Sequence, residues 1–149
     1  MTKFELLQFS AKSIGYTTLS YADFSEHEKS TLDYIMVVDY YGRLKFTWNP
    51  LKFKDQALDL IFTNKIQIQT GLDCTAGMGE FVEFKTLYIQ NDDSTIDLRE
   101  DIDDVNDKEE FINAIVRISA RKYLQMHVNE NTSYDVAKQN AMNMLSFLD

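Results

Sequence analysis

Cysteine is almost missing from this chain: Cys74 stands alone. A lone thiol excludes an internal disulfide framework and a multi-cysteine zinc site. One proline and five glycines leave little material for a long flexible linker. No window comes near the roughly 18 apolar residues that a membrane-spanning helix needs. Basic residues are also in deficit, with fifteen Lys and Arg against twenty-four Asp and Glu, for a formal net charge of −9. The opening Met1-Thr2-Lys3-Phe4-Glu5 has no basic cluster followed by an apolar run, so no targeting signal is expected. The chain is therefore read as cytoplasmic, with Cys74 reduced.

What is present is ordinary for a globular protein: 44% hydrophobic and 26% charged residues over 149 positions, a length that suits one domain. The acidity is local. Between Asp92 and Glu110 ten acids face two bases, Arg99 and Lys108, so this stretch alone holds −8 of the −9. Such a patch repels nucleic acid backbones and anionic membranes, and attracts cations or a basic protein surface.

Hydrophobic spacing sets the expected elements. Thr2 and Glu5 form a capping box before Phe4, Leu7, Ala11 and Ile14, and Gly15 supplies a left-handed stop, which predicts a helix over 3–14. Residues 16–21 predict a short strand and 22–32 a polar excursion. Residues 33–39 and 44–48 predict a hairpin around Tyr40-Tyr41-Gly42-Arg43. Asn49-Pro50 ends it. A helix is expected near 55–64 with Ala57, Leu58, Ile61 and Phe62 on its apolar side. Strands follow at 66–69 and 80–90, with a loop over 71–79 between them and a short partner strand at 95–98. Asp107 caps a third helix carrying Phe111, Ile115, Ile118 and Lys122 in one stripe. A last helix is expected over 134–148. The class is thus α+β, a mainly antiparallel sheet between helices with an extra C-terminal helix. Residues 1–128 form the domain, and 129–149 pack on it or on a second copy.

Several stretches resemble the phage alpha-beta-alpha sandwich domain, a family of small bacteriophage proteins. They are Glu5-Leu6-Leu7 with Ala11-Lys12 and Gly15, Trp48-Asn49-Pro50-Leu51 with Asp55-Gln56-Ala57-Leu58 and Lys65-Ile66-Gln67-Ile68, and Ala114-Ile115-Val116-Arg117 with Ala120. The excursion at 22–32, the acidic stretch and the helix after 130 extend beyond that pattern, and Lys54-Asp55-Gln56 stands where the family carries a Gly. The resemblance implies a three-layer fold and a phage or prophage accessory role. It carries over no catalytic residues.

Candidate chemistry is sparse. A nucleophilic Cys74 needs a base, and only His27 and His127 are available, with no local signature joining them. A zinc site would need carboxylates from several loops. The acidic stretch fails the EF-hand pattern: from Asp93 the sixth and twelfth positions are Leu98 and Asp104, and from Asp101 they are Asn106 and Ile112. The glycines of 71–79 sit between strands without a base, unlike a phosphate loop. No metal, cofactor or catalytic residue is therefore expected, and the chain is read as a binding protein rather than an enzyme.

The partner-binding candidates are Asp92, Asp93, Asp97, Glu100, Asp101, Asp103, Asp104 and Asp107. The expected partner is a host protein, a basic nucleic-acid-handling one, with no direct contact to nucleic acid or membrane. Tyr40, Tyr41 and Trp48 are candidate ligand contacts for the alternative reading, a small-molecule or nucleotide-signal sponge. The lack of any local basic cluster counts against that alternative. Met142, Met144, Leu145, Phe147 and Leu148 suit an adaptable interface, which makes a homodimer a further expectation.

Overall fold

The structure is a computed structural model, and it describes residues 1–73, 79–89 and 94–127. Helix α1 (Lys3–Ser13) starts at Thr2, whose hydroxyl oxygen accepts from the Glu5 amide. The Glu5 carboxylate accepts from the Thr2 hydroxyl rather than from the Thr2 amide foreseen in the capping box. Gly15, at φ 88°, turns the chain after the helix. The two-residue strand β1 (Thr17–Thr18) pairs with β2 (Ile35–Val38). Within the polar excursion Ser25 and Glu28 close a full capping box on the short helix α2 (Glu26–Ser30), which buries nothing.

Strand β2 turns into β3 (Leu44–Trp48) through Asp39, whose carboxylate accepts from the amides of Tyr41 and Arg43. Gly42 takes φ 78°, as a tight turn of this kind requires. Helix α3 (Lys54–Asn64) ends on Lys65 in the left-handed region. Strands β4 (Gln67–Asp73), β5 (Gly79–Ile89) and β6 (Thr95–Ile102) make an antiparallel meander. Helix α4 (Lys108–Met126) follows, capped by Asp107.

The α+β class and the antiparallel pairing expected from the sequence are what the structure shows. The strands are divided between two three-stranded sheets, β1-β2-β3 and β4-β5-β6. Helix α1 packs on β1 and β2, α4 packs on β5 and β6, and the two helices pack on each other. One core results, joining Leu7, Ile35, Val37 and Trp48 to Phe84, Leu98, Ile115 and Ile118. Helix α4 has neighbours on several sides, so Ala114, Ile115, Val116, Ile118, Ser119 and Ala120 are all buried rather than one narrow stripe.

Three expectations about elements change. Strand β6 runs on through Glu100 and Asp101 to Ile102, because all of 95–102 finds register with β5. Likewise β4 and β5 extend into the stretch read as a loop, pairing Gly71 with Phe81 and Asp73 with Gly79. On α3 the buried residues are Ala57, Leu60 and Asn64, and Leu58 and Phe62 stand exposed. The inward stripe of α3 follows i, i+3 and i+7, and the polar Asn64 concealed it from a hydrophobicity reading. Cys74 and the expected helix over 134–148 lie outside the described residues, as does all of 129–149. Among the described residues no helix is long and apolar enough to cross a membrane.

Candidate functional site

Alternation along β6 sends the acids to two faces. Leu98, Glu100 and Ile102 share the inner side, whereas Asp97, Arg99 and Asp101 share the outer one. Glu100 meets α4 there. Its carboxylate lies 3.0 Å from Arg117 Nε and 3.4 Å from Arg121 Nη1, and all three side chains are largely covered. Arg121 also donates to the Arg99 carbonyl, while its Nε is buried without a hydrogen-bond partner among the described residues. Glu100 therefore joins strand to helix and is corrected here as a partner contact.

On the outer face Asp97 is answered by Lys85 and Arg99, each at 3.5 Å, and Arg99 also reaches Glu83 at 3.6 Å. These pairs, two between β5 and β6 and one within β6, are each at least partly exposed and screened, so each contributes little to stability. Asp107 accepts from the Glu110 amide and is used as the cap of α4. Asp97 and Asp107 thus have roles within the fold that the charge pattern alone did not reveal. Asp92 and Asp93 lie outside the described residues.

Asp101, Asp103 and Asp104 remain, all exposed and none in an ion pair among the described residues. Asp104 Oδ1 accepts from the Asn106 amide and shapes the turn into α4. Asp101 stands across from Glu83 on β5. Its carboxyl is raised above the usual carboxylate range, first by desolvation and then by the negative charges of Glu83 and Asp103, with Arg99 opposing. Glu109 and Glu110 open α4 on the same side of the turn in sequence, also exposed.

The aromatic candidates separate cleanly. Tyr40 is 95% and Tyr41 76% exposed at the β2–β3 tip. Their rings meet edge to face at 5.3 Å, and the Arg43 guanidinium lies over the Tyr41 ring at 5.0 Å. Trp48 is 0% exposed, and its indole N–H donates to Ser10 Oγ at 3.1 Å. A side chain enclosed by the core has no face left for a ligand, so Trp48 is corrected from candidate contact to core residue.

His27 lies on the exposed α2, and the His127 ring lies 4.4 Å from the Tyr123 ring, tilted by 35°. Among the described residues no group of three or more His, Cys, Asp and Glu side chains is placed to hold a metal. Sequence reasoning missed Lys3, Lys52, Lys54 and Lys108, which line one cavity of about 690 Å³. They are scattered over the chain, and no local signal could have gathered them.

The stretches that carried the family resemblance fall in α1, at the end of β3 and into α3 and β4, and in α4. No protein-family model, curated protein or solved structure matches the chain.

Proposed function

We propose that this chain is a non-catalytic phage or prophage accessory protein that binds a host macromolecule through the acidic turn between β6 and α4. The phage assignment rests on the resemblance of the α1, β3–α3 and α4 stretches. The observation that supports the binding role is the placement of exposed Asp101 opposite Glu83 in the β5–β6 register, its carboxyl raised first by desolvation and then by the charges of Glu83 and Asp103. Arg99, already shared between Glu83 and Asp97, does not cancel the raised carboxyl at Asp101, and sites with perturbed titration are candidates for function. The partner is a basic, nucleic-acid-handling host protein in the host cytoplasm, met by a surface that imitates the charge of a nucleic acid. In that role the chain serves as a counter-defence inhibitor.

Electrostatic association of this kind weakens with salt. Capture of a partner from host lysate is expected at low salt and is lost as salt rises. The variant Asp101→Asn/Asp103→Asn/Asp104→Asn is expected to lose the same partner at low salt. Equal capture by the variant removes the acidic turn from the reading.

A second reading, a small-molecule or nucleotide-signal sponge, draws on the exposed pair Tyr40 and Tyr41. A rise in melting temperature with a cyclic nucleotide, lost in Tyr40→Ala/Tyr41→Ala, would support it. No rise in the wild type removes it.

A further inference from the structure

Four lysines meet at a place the chain order hides. Lys3 opens α1, Lys54 opens α3 and Lys108 opens α4, and with Lys52 they line the cavity of about 690 Å³. Two carboxylates share the lining, Asp33 and Glu109, which leaves it net +2 in a chain of −9. Asp33 is taken by Lys3 at 3.4 Å. Lys54 and Lys108 make no ion pair among the described residues.

Four exposed lysines against two carboxylates give the lining a positive field. A helix start carries a partial positive charge of about half a unit, which Asp107, Glu109 and Glu110 offset at α4. Helix α3 begins at Phe53 with no side-chain cap, so its first amides have no carboxylate or hydroxyl of their own. The lining also includes the fully buried Pro50 and the half-buried Ile112 and Asn113. Its volume lies within the range of small-ligand sites.

We propose that this cavity binds a small phosphorylated molecule bearing at least two negative charges. Lysines act on phosphate as separate point charges, and several set around one concavity suit a compact polyanion better than a single carboxylate. A long nucleic acid is disfavoured because Asp103 and Asp104 are exposed just before α4 begins. The site is independent of the acidic-turn reading and stands or falls by itself.

Titration calorimetry of the full chain with pyrophosphate, ATP and inorganic phosphate tests it. Saturable binding of pyrophosphate or ATP at one site is expected, weakening as salt rises. In Lys54→Gln/Lys108→Gln the affinity should fall by about tenfold or more. Lys45→Gln, an exposed change on β3 away from the cavity lining, should leave it unchanged. Should the double variant lose its native circular dichroism, Lys108→Gln alone carries the same comparison. The proposal is overturned by no saturable binding at millimolar pyrophosphate or ATP, by binding that survives both variants, or by a duplex oligonucleotide that binds more tightly than either ligand.

Discussion

Trp48 is the sole tryptophan, and it is enclosed with its N–H spent on Ser10, which in turn donates to the Leu7 carbonyl at 3.0 Å. Trp48→Phe should remove that hydrogen bond and leave a void, at a cost of about 2 kcal/mol. Urea denaturation measures it, and an unchanged midpoint would mean the ring is not in the core. Asp101 is destabilising in the opposite sense. Its folded-state pKa lies above the unfolded value, so the native state holds the proton more tightly. Its penalty is present above the raised value and is relieved as pH falls through it. Asp101→Asn should therefore stabilise at neutral pH, by less than about 1 kcal/mol because the group is exposed and screened. The gain should vanish in mild acid, where the wild-type carboxyl is itself protonated. A loss of stability at neutral pH would contradict the raised carboxyl on which the acidic-turn reading depends.

Between elements, the decisive contacts are polar. Asn64, 1% exposed at the end of α3, donates through Nδ2 to Ser13 Oγ on α1 at 3.0 Å and to Ser119 Oγ on α4 at 3.1 Å. Its carbonyl accepts from Thr86 Oγ1 on β5 at 2.7 Å and from Lys122 Nζ on α4 at 3.3 Å. Burial also lowers the Lys122 pKa from its ordinary value. Through its side-chain amide and its backbone carbonyl together, Asn64 thus links three helices and a strand. Asn64→Ala should remove two hydrogen bonds, with Ser13 and Ser119 keeping theirs to the Ser10 and Ile115 carbonyls, and cost about 1–2 kcal/mol by chemical denaturation. A change under about 0.5 kcal/mol, the usual range for surface positions, would show the hub to be dispensable. The same reasoning explains why the apolar face of α3 was misread. Leu58 and Phe62 looked like core residues, yet Phe62 is 76% exposed, with Lys65 Nζ over its ring at 4.6 Å.

At the scale of the molecule, one core is shared by two separate sheets through α1 and α4. Neither sheet has a core of its own, so unfolding should be a single transition. Trp48 fluorescence reports the first sheet, and far-ultraviolet circular dichroism reports all elements. Their midpoints in urea should coincide. Two separated midpoints would mean that the sheets hold independently. The charge distribution belongs to this scale too. The chain is acidic in sum, yet it carries a positive concavity and a negative turn, both touching the start of α4.

Local chemistry determined much of this protein. The caps at Thr2, Ser25 and Asp107, the turn at Asp39–Arg43 and the alternation along β5 are short-range patterns, and hydrogen bonds within a few residues enforce them. The α+β class follows from their order. What the sequence could not determine was which charges would meet. The density of acids between 92 and 110 was visible, but strand alternation turned Glu100 inward to Arg117 and Arg121 while leaving Asp101 outside. The lysines of the cavity are up to 105 positions apart, from Lys3 to Lys108, and only the packing of three helix starts around Asn49 and Pro50 brought them together. Periodicity acts over a few residues along the chain; proximity of charges depends on how distant elements pack, and tertiary structure alone decided that.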